Sequence, residues 1–196
     1  SGKTIIAISS LLLIIERGHQ GALMVPTEVL ALQHYKVLIR TLNPLFISVE
    51  LLTGSTPQKK RKKILKDLVN GQVNILVGTH ALFEEKVIFD SLGLVIIDEQ
   101  HRFGVSQRNR LLKKGDGANF LSMTATPIPR TLALSIYGDL DISQITELPP
   151  GRVPVKTKII YEDNLSELFK NVEFEINKGK QVYVILPLID DSEKLN

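Results

Sequence analysis

At 196 residues, 43% of them hydrophobic and 23% charged, the chain is ordinary globular material, long enough for one complete α/β domain and part of another. The absence of cysteine excludes disulfides and cysteine-based metal sites and fits a reducing cytoplasm. The longest apolar stretch, around Leu11, breaks at Glu16-Arg17 and is too short for a membrane span. A formal charge of +3 is compatible with a polyanionic partner without being diagnostic of one.

The chain opens with Ser1-Gly2-Lys3-Thr4, followed by a helix-compatible apolar segment over 5–16 that stops at Arg17-Gly18. Gly-Lys-[Ser/Thr] opening a helix is the second half of a phosphate-binding loop. Backbone N–H groups cradle phosphate oxygens, the lysine reaches the β and γ phosphates, and the hydroxyl joins the metal shell. Ser1 and Gly2 fit the cradle, Lys3 the phosphate contact and Thr4 the magnesium contact of an ATP site. The first glycine of the pattern would lie upstream of Ser1, so a fragment is expected. It would lack the interior strand that feeds the loop, and the isolated chain is expected to fold poorly.

Strand-like and helix-like segments then alternate, the pattern of an α/β fold with a parallel sheet and helices on both faces. Strands are predicted over 22–25, 47–52, 73–77, 94–98, 120–124 and 143–147, and helices over 28–42, 57–69, 106–114 and 130–137. Pro26-Thr27-Glu28 ends a strand and begins a helix, where Thr27 or Glu28 suits a helix cap. Gly78-Thr79-His80 follows the strand over 73–77 in the same way. Both turns fall at the sheet edge that carries the phosphate loop. Together they make a surface of helix N-termini, hydroxyls and backbone N–H groups suited to a phosphodiester backbone.

The basic run Lys59-Lys60-Arg61-Lys62-Lys63 with Lys66 resolves differently once wound at about 100° per residue. Lys59, Lys62, Lys63 and Lys66 share one face and Ile64, Leu65 and Leu68 the other, which is a solvated surface helix. Pro57 suits its first turn, with Ser55 or Thr56 as cap.

Leu94-Val95-Ile96-Ile97 is an unbroken apolar run ending in Asp98-Glu99, followed by Gln100-His101. A strand buried on both faces delivers the two carboxylates to its carboxyl end, where open α/β sheets bind ligands. There Asp98 is suited to hold magnesium and Glu99 to orient the attacking water. The four histidines show no metal-ligand spacing, and among them only His101 is expected within reach of chemistry. Ser122-Met123-Thr124-Ala125-Thr126-Pro127 is a strand end rich in small hydroxyl residues, able to hydrogen-bond the site if it neighbours the Asp98 strand. Glu147-Leu148-Pro149-Pro150-Gly151 is the clearest breaker. Beyond it a strand over 155–161, a helix over 165–177 and a strand over 181–186 are predicted.

In their order, Ser1-Gly2-Lys3-Thr4, Pro26-Thr27-Glu28, Gly78-Thr79-His80, Asp98-Glu99-Gln100-His101 and Thr124-Ala125-Thr126 resemble the motifs of superfamily-2 helicases. The longer strings Asp98-Glu99-Gln100-His101-Arg102-Phe103-Gly104-Val105 and Thr124-Ala125-Thr126-Pro127-Ile128-Pro129-Arg130-Thr131-Leu132-Ala133 resemble the RecG family of ATP-dependent branch-migration helicases. So do Gly138-Asp139-Leu140-Asp141 and Glu147-Leu148-Pro149-Pro150-Gly151-Arg152.

That resemblance implies a RecA-like motor domain over 1–148, a linker over 149–154 and the beginning of a second RecA-like domain over 155–196. It implies ATP and Mg2+ as cofactors, with Lys3, Thr4, Asp98 and Glu99 serving hydrolysis and Gln100 and His101 coupling the nucleotide to motion. Thr124, Ala125 and Thr126 would link hydrolysis to DNA movement. The partner is branched double-stranded DNA, handled by a monomer in the bacterial cytoplasm or nucleoid, or in an organelle of bacterial descent. The wedge domain that splits the DNA, and the arginine that completes the ATP site, have no counterpart in these residues, so the fragment alone is expected to be inactive. Transcription-repair coupling factors share similar His-Arg-Phe-Gly and Thr-Ala-Thr-Pro strings and remain the alternative motor. A noncatalytic DNA-binding module is disfavoured by the presence of both Lys3 and Glu99.

Overall fold

Successive residues of a strand point to opposite faces of its sheet, and each apolar run of this chain divides accordingly between two cores. In the computed structural model, residues 2–99, 111–115, 117–125, 141–145, 151, 155–161 and 164–185 are described. They fall into two units, Ser1–Pro149 and Pro150–Asn196.

The first unit is built on β1 (Gln20–Met24), β2 (Val49–Leu52), β3 (Ile75–Gly78), β4 (Leu92–Asp98) and β5 (Asn119–Met123), all parallel, in the order β2-β3-β1-β4-β5. On one face, Leu23, Val49, Ile75, Val77, Leu94 and Ile96 pack with the inward stripes of α1 (Lys3–Glu16) and α2 (Glu28–Leu42). On the other, Ala22, Met24, Leu76, Val95 and Ile97 pack with Ile64 and Leu68 of α3 (Gln58–Val69) and with Leu82, Val87 and Leu111. Burying one such aliphatic side chain contributes about 1.5–3 kcal/mol, so two fully covered faces explain why these strands read as continuous hydrophobic runs.

The helices of this unit follow the sequence closely. α2 begins where Thr27, in an extended conformation, accepts the Leu30 N–H on its hydroxyl at 3.3 Å. α3 leaves its lysines exposed and buries Ile64 and Leu68, the solvated-helix reading. Its expected Ser55 or Thr56 cap is not formed. Pro57 holds the cap position, and the Thr56 hydroxyl turns back to accept the Thr53 N–H at 2.9 Å, closing a tight turn instead. The five strands pair consecutively, with β2 and β5 at the two edges of the described sheet.

Three predicted strands are corrected. Residues 143–145, 155–161 and 181–185 have no strand pairing and are almost entirely exposed. An extended segment becomes a strand only through hydrogen bonds to a neighbour, and no partner is present among the described residues. Among the described residues of the second unit, only α4 (Leu165–Asn177) is regular. The helix predicted over 130–137 and most of that over 106–114 lie outside the described residues.

Candidate active site

The carboxyl end of β4 is where the buried sheet meets solvent. Ile96 and Ile97 are fully buried, and Asp98 and Glu99 emerge with side chains only 15% and 23% exposed. β4 and β5 are in register with Asp98 opposite Met123, and the Glu99 N–H donates to the Met123 carbonyl at 2.9 Å. That bond extends the ladder one residue past the strand, while Glu99 itself adopts φ +55°. A left-handed non-glycine residue costs of order 1–3 kcal/mol and persists only where its surroundings enforce it, which marks a position built for more than stability. Met24 at the end of β1 and Gly78 at the end of β3 fall on the same edge.

α1 starts at this edge. Gly2 occupies its cap position and supplies no side-chain hydrogen bond, as suits an N-terminus that presents backbone N–H groups to an anion. From the first helical position Lys3 extends its Nζ to 3.9 Å from Asp98 Oδ1 and 3.8 Å from Glu99 Oε1. These distances are too long for direct hydrogen bonds but close enough for strong Coulomb coupling. One ammonium facing two carboxylates leaves a surplus negative charge.

Burial pushes the Asp98 carboxyl up, but a hydrogen bond from His34, the charges of Lys3 and His34, and the Glu99 N–H outweigh it and hold the group below the usual carboxylate range. Asp98 is therefore ionised at neutral pH. Its Oδ2 lies 3.1 Å from His34 Nε2, and its Oδ1 accepts the Glu99 N–H at 3.1 Å. Across the β4–β5 pair, Thr124 Oγ1 donates to Glu99 Oε2 at 3.5 Å, the outer limit for such a bond.

The strand-end turns line up in sheet order along the same edge, after β2, β3 and β1. At the first, residues 53–56 form a turn knitted by their own hydroxyls. At the third, the Glu28 carboxylate accepts both the Ser55 N–H at 3.1 Å and the Ser55 hydroxyl at 2.6 Å, and those bonds hold its pKa below the usual value. Glu28 thus staples the start of α2 to the turn after β2. At the middle turn, a Cβ on Gly78 would lie 2.2 Å from the Leu52 carbonyl oxygen, so only glycine fits there. Thr79 is 1% exposed and its hydroxyl has no hydrogen-bond partner among the described residues, while His80 is exposed. Pro26 precedes the Thr27 cap.

The structure therefore brings together Lys3, Asp98, Glu99 and Thr124, and places Gly2, Thr4 and Ala125 beside them in the chain. Ser1, Gln100, His101 and Thr126 lie outside the described residues. His34 was missed in the sequence. A signal was present: Ala31, His34 and Leu38 share the three-to-four spacing of the buried stripe of α2, and a polar residue on such a stripe needs a buried partner.

A sequence profile of the DEAD/DEAH box helicases matches residues 1–134. The chain belongs to the DEAD/DEAH box helicase family. Within that family it is similar along its whole length to the ATP-dependent DNA helicase RecG of Synechocystis sp., with 54% identity over 196 residues, and to that of Aquifex aeolicus, with 57% over 198 residues. It spans 24% and 25% of those two relatives. The structure of RecG bound to a three-way DNA junction superposes with a TM-score of 0.80 at 46% identity, covering 96% of this chain and 25% of that one. These similarities favour RecG over a transcription-repair coupling factor, and with the parallel sheet they make this a RecA-like helicase fold. The helicase domain of Pyrococcus furiosus Hef, at 17% identity and a TM-score of 0.51, shares the fold alone.

Proposed function

We propose that this chain is the nucleotide-hydrolysing part of an ATP-driven double-stranded DNA translocase that acts on branched DNA, such as replication forks and Holliday junctions, in recombination and repair. Residues 1–148 form its first motor domain, 149–154 a linker and 155–196 the beginning of a second, in a monomeric cytoplasmic enzyme. The observation that carries the reading is the convergence of Lys3, Asp98 and Glu99 at one sheet edge, on a chain similar throughout to RecG.

The donor set fits a magnesium nucleotide rather than a metal held by protein alone. No cluster of three or more His, Asp or Glu able to cage an ion occurs among the described residues, and magnesium is ordinarily held by one or two carboxylates together with substrate phosphates. Asp98 and the Thr4 hydroxyl would hold it, and when bound it neutralises phosphate charge as the β–γ bond breaks. Ser1 and Gly2 present backbone N–H groups to the phosphates, and Lys3 pairs with the γ-phosphate. Glu99, kept close to its strand by the Met123 carbonyl, orients and accepts a proton from the attacking water. Gln100 and His101, with Thr124, Ala125 and Thr126, pass the state of the site to the DNA track. Thr124 has a direct route, its hydroxyl lying against Glu99.

Pro26, Thr27 and Glu28 with Gly78, Thr79 and His80 form that track. Glu28 and Gly78 would set the loop shapes, which leaves the backbone and the exposed His80 to meet phosphates. Contacts of this kind give affinity without base specificity and fall steeply with salt. The deciding experiment is phosphate release by the full-length protein with and without forked DNA. Stimulation by the fork at low salt supports the reading, and turnover indifferent to DNA overturns it.

A further inference from the structure

The Asp98 carboxylate is held at both oxygens. Oδ1 accepts the Glu99 N–H at 3.1 Å and faces Lys3 Nζ at 3.9 Å, while Oδ2 meets His34 Nε2 at 3.1 Å. An ionised carboxylate only accepts hydrogen bonds, so Nε2 must be the nitrogen that carries hydrogen. The terminal torsion of an aspartate is soft, and nothing intrinsic to Asp98 would keep Oδ1 turned toward the nucleotide side. His34 supplies the restraint on Oδ2, beside that of the Glu99 N–H on Oδ1. Its side chain is 14% exposed, and it projects from the stretch of α2 anchored by Ala31 and Leu38, both fully or nearly fully buried. The donor atom is therefore fixed by the hydrophobic core, not by a mobile loop.

We propose that His34 is a positioning residue of the nucleotide site: it pins one oxygen of Asp98 so that the other is presented to the magnesium nucleotide. The proposal rests on the assignment of Asp98 above. A residue 64 positions away in sequence thereby sets the rotamer of the metal-facing carboxylate. Partners that orient a metal ligand in this way typically contribute 10–100-fold to metal affinity.

The test uses the full-length protein and a matched pair of variants, His34→Gln and His34→Met. Both are of similar length, but only glutamine can donate a hydrogen bond from its terminal nitrogen. Binding of a fluorescent ADP analogue is titrated with Mg2+ and compared with binding in EDTA, and thermal unfolding is followed in parallel. The expected result is that H34M raises the half-saturating Mg2+ concentration about tenfold while leaving EDTA binding unchanged, and that H34Q stays within about threefold of wild type. Equal Mg2+ dependence in wild type and H34M overturns the proposal. So does an H34Q as impaired as H34M, since that pattern belongs to a residue needed only for packing. A wild-type protein whose nucleotide binding ignores Mg2+ overturns the metal role of Asp98 itself, and His34 with it.

Discussion

The two units contrast in how their elements are held. In the first, strands are covered on both faces and their backbone groups are paired along an unbroken parallel sheet. In the second, α4 stands with no buried residue, Phe169 and Phe174 are more than half exposed, and the flanking extended segments pair with nothing described. A helix closes its hydrogen bonds within itself, so unlike a strand it needs no distant segment to pair its backbone. α4 adds Lys178 and Lys180 around Glu175 just past its end. A strand depends on residues far away in sequence, so an apolar segment becomes a strand in the first unit and stays unpaired among the described residues of the second.

The contrast is broken most directly at the proposed nucleotide site in the first unit. Lys3→Ala in the full-length protein is expected to abolish ATP turnover while DNA binding survives. Glu99→Gln should bind ATP and DNA yet turn over at least about a hundredfold more slowly, because the water loses its base while Asp98 stays in place. Steady-state phosphate release reads both, and an active K3A would remove the phosphate-loop assignment.

Stability sharpens it next. Leu76→Ala, at a fully buried β3 position, should cost about 2–5 kcal/mol, whereas Phe169→Ala on α4 should change stability by less than about 0.5 kcal/mol. Denaturant midpoints give both values, and a Phe169 effect as large as that of Leu76 would mean that α4 is covered by a partner.

A smaller effect is expected at the start of α2. Thr27→Ala removes the hydroxyl that caps Leu30 and should cost about 1 kcal/mol, measured by thermal unfolding. A neutral outcome would show that the Glu28–Ser55 staple fixes this turn unaided.

The smallest is a pH effect. The folded state holds the Asp98 carboxyl below its ordinary 3.8, so it contributes stability that is present above that value and lost as pH falls through the folded value. Asp98→Asn should therefore flatten the acid limb of the stability curve below about pH 4 without changing its slope near neutrality. An identical acid limb in D98N would show that the carboxyl is not held by His34 and Lys3.

Much of this was legible in advance. The buried-strand reading of Leu94-Val95-Ile96-Ile97 put Asp98 and Glu99 at a carboxyl edge, and Gly2-Lys3-Thr4 announced a helix start that presents amides. Both depend on local pattern alone. Glu28 carries the opposite lesson: its place in a strand-end turn suggested a phosphate contact, but its carboxylate is engaged by Ser55, 27 residues on. Thr79 is similar, a hydroxyl in the expected turn but buried within it.

The sequence by itself determined the alternation of strands and helices, the faces that α2 and α3 bury, and the places of the Gly-Lys-Thr and Asp-Glu motifs at a helix start and a strand end, because periodicity and capping act over a few residues. Only the tertiary structure decided the strand order, the union of Lys3 with Asp98 and Glu99, the left-handed turn at Glu99 and the pairing of His34 with Asp98. Each of these depends on which strands become neighbours. That is a matter of burying two apolar faces at once, a property of the assembled sheet and not of any segment within it.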